Sequence, residues 1–121
     1  PCNADGWLEQ QAMDHARAQL VHTLGTVDTK NRFNLYVPYT GETPIYVHAK
    51  IMIVDDRVLR IGSANMNNRS MGLDSECDVF IDCDRPGNDH ACDAIAALRH
   101  SLLAEHCGLE EGEVAGLLDQ H

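Results

Sequence analysis

Positive charge is scarce in this chain. Nine Lys and Arg stand against 19 Asp and Glu, a formal net charge of -10 over 121 residues. That balance repels nucleic acid unless cations gather at one spot. No run of basic residues interrupts it, so nucleic acid is not an expected partner. Long apolar stretches are missing too. None approaches the length of a membrane-spanning helix, and the N-terminus lacks a signal-peptide pattern. The expectation is a chain that is cytoplasmic or peripheral to a membrane. There is no initiator methionine, and a start at Pro1 suggests a fragment or a processed product. The five cysteines (Cys2, Cys77, Cys83, Cys92, Cys107) are an odd number with no CxxC pair among them. Zinc-ribbon and thioredoxin-type readings therefore have no support. Cys77, Cys83 and Cys107 are expected as small buried hydrophobes, in keeping with a reducing compartment.

What is present is ordinary in bulk. A hydrophobic share of 44% with 23% charged residues fits one globular domain spanning residues 1–121. Residues 7–24 place Trp7, Leu8, Ala12, Ala16, Leu20 and Leu24 at helical spacing, with Asn3 or Asp5 as cap and Gly25 as stop. Trp7 is expected in the core. Residues 33–39 alternate as a strand ended at Pro38, and residues 41–44 form a turn. A long strand is predicted over 45–54, a turn at Asp55-Asp56, and a return strand over 58–61. A polar loop or short helix follows over 63–73, then a strand over 77–83, a break at 85–88, a helix over 89–106 closed by Gly108, and a short acidic helix over 110–118. The order predicts an α/β fold, a mixed β-sheet flanked by helices.

Within the predicted 45–54 strand, alternation separates two faces. Ile45, Val47, Ala49, Ile51 and Ile53 make one apolar face for a helix layer. His48 and Lys50 share the other, roughly 6–7 Å apart along the strand. A lysine on a sheet face is costly unless it meets an anion. A phosphate would satisfy both groups, the lysine as a point charge and the histidine as nucleophile or proton donor. Gly62-Ser63-Ala64-Asn65 follows the return strand and so comes back beside the histidine. Gly62 permits close backbone approach, and Ser63 and Asn65 are short donors suited to phosphate oxygens. Glu76, opening the next strand, is placed to hold the second imidazole nitrogen. Asp55, at the hairpin turn, reads as structural.

HAKIMIVD, carrying His48, Lys50 and Asp55, followed by IGSANMNNRS, resembles the HxKxxxxD…GSxN signature of the phospholipase D superfamily, the HKD motif. The likeness runs on through Asn67, Arg69, Ser70 and Glu76. RSMGLDSE looks like the loop after the second motif of two-motif phospholipases. LRHSLLAEHCG is similar to a helix near their C-terminus, with Cys107 where a leucine is usual. The resemblance spans most of residues 7–108. It implies a metal-independent, cofactor-free phosphodiesterase that acts through a phosphohistidine. Its catalytic residues would be His48 as nucleophile or general acid/base, Lys50, Asp55 in its structural place and Glu76 orienting His48. Lys50, Ser63 and Asn65 would bind the substrate phosphate.

Only one HxKxxxxD is present. His15, His22, His90, His100, His106 and His121 have no lysine two residues on. A complete site in this superfamily takes one motif from each of two halves. The chain is therefore expected to be one half of a phospholipase D-like fold, resembling the C-terminal half. Its expected partners are a second HKD half, upstream or in a homodimer mate, and phospholipid at a membrane surface. The alternatives are a catalytically silent half-domain that binds phosphate only, or a cardiolipin-synthase-like or nuclease member of the superfamily. Asn67, Asn68 and Arg69 serve equally as a polar loop capping a short helix or as substrate contacts. Asp74 and Asp78 are expected to be solvated or paired with Arg69 or Arg57. Glu110, Glu111 and Glu113 read as a solvated helix face.

Overall fold

Residue 62 has no room for a side chain, and the sheet built around it positions the loop that carries Ser63 and Asn65. In the computed structural model residues 6–118 are described. Asn3, Asp5, Cys2 and His121, and the side chain of Leu8, lie outside the described residues. The chain divides into two compact units, residues 1–48 and residues 49–121.

The first unit holds helix α1 (Trp7–Val27) and a small hairpin, β1 (Tyr39–Thr40) with β2 (Thr43–Pro44). The helix runs past its expected stop at Gly25. Glycine ends a helix where the backbone turns left-handed, and Gly25 is not among the residues of positive φ. The helix instead ends at Asp28, whose carboxylate accepts from Phe33 N at 2.6 Å and Lys30 N at 3.2 Å. The Phe33 N–H in particular holds the Asp28 carboxyl below its usual range. The helix carries its apolar residues outward: Trp7, expected in a core, is 71% exposed, and Leu20 and Met13 are exposed as well. Of the strand expected over 33–39 only Tyr39 is in a strand, where it opens β1. Leu35, Tyr36 and Val37 are exposed, and alternation without a neighbouring strand supplies no ladder to hydrogen-bond to.

The second unit is built on an antiparallel sheet, β3 (Ile51–Val54), β4 (Val58–Gly62) and β5 (Asp78–Asp82), in the order β3-β4-β5. Helices α2 (Asn68–Gly72), α3 (Ala91–Cys107) and α4 (Glu111–Leu118) complete it. The α/β class holds, and every strand pairing among the described residues is antiparallel. The strand expected over 45–54 is shortened to its last four residues. Its partner β4 turns away after Gly62, so the ladder runs out opposite Lys50.

Ile51, Ile53, Leu59, Ile61, Val79 and Ile81 share one face by register. Leu59, Cys83 and Ile95 form the core there, with Ile53, Ala91, Cys92 and Leu98 packed around it. Fully burying an Ile or Leu contributes about 1.5–3 kcal/mol, so Leu59 and Ile95 stabilise this contact with α3. α3 ends at Gly108, left-handed at φ 65°, as a closing glycine predicts. α3 packs on α4, and each contributes a buried residue, Ala104 and Val114.

Two cysteine expectations change. Cys77 and Cys107 are exposed. Cys83 is buried as expected, but it is joined to Cys92 as a disulfide, with Cα atoms 5.7 Å apart. The turn between them folds the end of β5 back onto the start of α3. Their separation of 9 positions carries no signature in sequence. The pairing removes the basis for inferring a reducing compartment. No helix among the described residues is long and apolar enough to cross a membrane.

The β3–β4 turn is tied to α3 by charge. Asp55 and Asp56 are both left-handed, at φ 51° and 54°, a backbone that Asp tolerates better than most residues. Asp56 accepts from Arg99 Nε and Nη2, each at 2.6 Å. This forked hydrogen bond lowers the Asp56 pKa and raises that of Arg99. A carboxyl whose folded pKa is depressed stabilises the fold above its unfolded pKa, and that contribution is lost as pH falls through the folded value. Asp56→Asn keeps the turn and removes the charge, so it should cost about 1–2 kcal/mol at neutral pH. Urea denaturation should show the two proteins converging below the ordinary carboxylate range; a difference unchanged by acid would rule out this account.

Candidate active site

The single HxKxxxxD stretch straddles the boundary between the two units. His48 is the last residue of the first unit, and Lys50, Asp55, Ser63, Asn65 and Glu76 belong to the second. His48 is exposed, and its ring stacks on Tyr46 with centroids 6.0 Å apart and planes 16° from parallel. Tyr46 is not among the expected site residues, although it stands two positions before His48 on the same side of the alternation.

Lys50 is placed by the sheet. Gly62 N donates to Lys50 O at 3.1 Å, continuing the β3–β4 ladder by one step. Gly62 in turn sits opposite Asp78 on β5. The even-numbered face therefore aligns Lys50, Gly62 and Asp78 across three strands, with Arg60 on the same face. A Cβ at position 62 would fall on the Asp78 carboxylate and 2.7 Å from the Asp78 Cα. Glycine is required here by space, since Gly62 has no left-handed backbone.

Beyond Gly62 the pairing goes on through Ser63. Its N–H donates to Cys77 O at 3.1 Å, and its Oγ accepts from Cys77 N at 3.0 Å. Its hydroxyl proton goes to Glu76 Oε2 at 2.5 Å. Thus Ser63, expected as a donor to phosphate, is joined in this structure to Glu76. The Ser63 hydroxyl first, and the Ser70 hydroxyl second, hold the Glu76 carboxyl below its usual range against the opposing charges of Asp74 and Asp78. Asn67 accepts from Ser70 N at 2.9 Å and so caps α2. Asn67 thus makes the cap that is one of the two readings of the 67–69 segment, and the cap sets the backbone that carries Ser70.

Asn65 lies exposed on the loop, with its carbonyl accepting from Asn67 N at 2.9 Å. Asp55 sits in the turn at the far end of β3, about 16 Å from Lys50 at the usual strand rise. Of the two aspartates expected to be solvated or paired, Asp74 meets Arg69 at 3.0 Å. Asp78 meets neither Arg69 nor Arg57: it pairs with Arg60 at 2.9 Å, while Arg57 pairs with Asp84. Shared strand parity across β4 and β5 is the signal that could have joined Arg60 to Asp78. No group of three or more His, Cys, Asp or Glu among the described residues is arranged to hold a metal.

Known proteins are similar to this chain over much of its length. The family model described as Phospholipase D matches residues 14–117. Phospholipase D zeta 1 of Arabidopsis thaliana is 44% identical over 84 residues, covering 62% of this chain and 8% of that protein. Phospholipase D1 of Schizosaccharomyces pombe is 47% identical over 75 residues, covering 54% of this chain and 6% of that protein. Phospholipase D of Phytophthora infestans is 38% identical over 81 residues, covering 59% of this chain and 4% of that protein. The chain thus spans less than a tenth of the length of these relatives. No solved structure matches it.

Two sets of variants test the site geometry. Gly62→Ala should destabilise by about 1–3 kcal/mol through overpacking. Gly72→Ala, with nothing within 4 Å of its added Cβ, should be neutral or slightly stabilising. Equal effects of the two in urea denaturation would rule out the close approach at residue 62. Ser63→Ala removes the main hydrogen bond on Glu76, so the Glu76 pKa should rise toward its ordinary value. Carboxyl carbon NMR titration reads this directly, and an unmoved midpoint would mean that Ser63 does not hold Glu76 in solution.

Proposed function

The chain belongs to the phospholipase D family, and on that premise we propose that it supplies one of two half-sites of a phosphodiesterase that hydrolyses or transfers the phosphatidyl group of phospholipids. The observation that supports this best is the register that seats Gly62 against Lys50. It brings the loop bearing Ser63 and Asn65 next to the motif lysine, within one unit of the chain.

In the reaction proposed, an imidazole nitrogen of His48 attacks the phosphorus. An N–P bond forms and the P–O bond to the head-group alcohol breaks, with the histidine of the second half protonating the departing oxygen. Water or an alcohol, deprotonated by that second histidine, then attacks the phosphorus and frees His48. The two histidines can exchange these parts, since each half contributes one. Lys50 and the Asn65 amide stabilise charge on the non-bridging oxygens. Glu76 takes the part of orienting the histidine in this scheme. A glutamate is anionic at neutral pH, as that part needs, and the Ser63 hydroxyl holds its carboxyl lower still. Ser63 supports the loop and its phosphate contacts from beside Glu76. Asp55 keeps the hairpin turn. No metal or cofactor enters the scheme.

The partners are a second HKD half, upstream in a longer chain or in a homodimer mate, and a phospholipid surface, with nucleic acid disfavoured by the charge of -10. A second reading, a silent half-domain that binds phosphate, is favoured for the isolated chain by its single motif.

The test is turnover of choline phospholipid vesicles and of bis(4-nitrophenyl) phosphate, with the mass measured in solution. The chain alone should be silent and should turn over substrate when a first-motif half is supplied. His48→Ala should then lower kcat by about three orders of magnitude or more with circular dichroism unchanged. Comparable turnover by the variant would exclude His48 as nucleophile. Activity of the unmixed chain as a dimer would instead mean that two copies complete the site.

A further inference from the structure

Ala64, between Ser63 and Asn65, has both of its backbone polar groups held by one ion pair. Arg60 Nη2 donates to Ala64 O at 2.8 Å and to Asp78 Oδ1 at 2.9 Å. Ala64 N donates to the same Asp78 Oδ1 at 3.3 Å. The pair is screened from water, its side chains 11% and 19% exposed, and Ala64 itself is buried at 4%. The other arginine–aspartate pairs of the second unit are more exposed. The missing side chain at Gly62 is what lets the Asp78 carboxylate come this close to the loop.

We propose that Arg60 and Asp78 are positioning residues for the phosphate loop: their ion pair clamps the Ala64 peptide groups from both sides and thereby fixes where Asn65 presents its amide. Neither residue is assigned to contact substrate. A loop of Ser, Ala and Asn has no apolar anchor apart from the Ala64 methyl group, and its own short backbone cannot satisfy Ala64. A buried N–H and C=O need partners, and the clamp supplies both from the two strands that flank the loop. Fixing the donor before a phosphate arrives spares the ordering cost at binding. The inference rests on the reading of Lys50 and Asn65 as phosphate ligands and adds to it what holds Asn65 in place.

A substitution can separate the clamp from a merely structural ion pair. Replacing a buried pair by apolar residues of similar volume often preserves stability, so Arg60→Met/Asp78→Leu should fold while leaving the Ala64 peptide groups unheld. Asp78→Asn, which keeps shape and one acceptor, is the milder companion should the double variant fail to fold. Two readouts apply to the full 121-residue chain and its variants: hydrogen exchange at the Ala64 amide, and titration with inorganic phosphate followed at the Asn65 side-chain amide. Protection at Ala64 should drop at least tenfold in the double variant, and by less in Asp78→Asn. Phosphate affinity should fall about tenfold with an unfolding midpoint near that of the parent. Parental exchange and affinity in a folded variant would overturn the proposal. Should the parent chain bind no phosphate while exchange at Ala64 still responds to the substitutions, the phosphate reading fails and the clamp stands. Unresponsive exchange sinks the clamp by itself.

Discussion

Strand β4 bonds to β3 on one side and β5 on the other, and its last residue meets the Asp78 carboxylate where a side chain would otherwise stand. That close approach at Gly62 organises the second unit. It sets Lys50 opposite Gly62, carries the pairing on into Ser63, and admits the Asp78 carboxylate to the loop beyond. One residue with no Cβ therefore links the lysine of the motif to the serine and asparagine behind it, although Lys50 and Ser63 are far apart in sequence.

The same economy governs charge. An acid-rich chain is a poor host for phosphate, yet many of its acids are engaged within the fold. Arg57, Arg60, Arg69, Arg85 and Arg99 each meet an aspartate. Most of these pairs are exposed and individually worth little. Asp56–Arg99 and Asp78–Arg60 differ, because they are partly buried and forked or shared among several acceptors. One fastens the hairpin turn to α3 and the other fastens the loop to the sheet. Glu76 is held by hydroxyls instead, which favours its ionised form without cancelling its charge.

Much of this is legible in the sequence, and the limits of what is legible have physical causes. The HKD spacing, the Asp55-Asp56 turn, the Gly108 stop and the order of the last five elements are readable because each is a local property of backbone or alternation. The strands expected over 33–39 and 45–54 form only in part because a strand exists only where a neighbour supplies hydrogen bonds, and apolar alternation does not say where that neighbour ends. Trp7 on a helical stripe marks a face that is able to be buried, and in α1 Trp7 lies exposed. The Cys83–Cys92 pairing depends on how the turn after β5 folds back, which no spacing reveals.

The sequence by itself determined which chemistry is available: one histidine, one lysine two residues later, a Gly-Ser-Ala-Asn and a later glutamate, in the order of the signature it resembles. Those are choices of side chain at fixed separations, and they are legible without any knowledge of folding. Only the tertiary structure decided which residues hold that chemistry in place. Arg60 and Asp78 lie 18 positions apart, and Ser63 and Glu76 lie 13 apart. They meet because antiparallel register brings them together, and register is a property of paired strands that neither strand possesses alone.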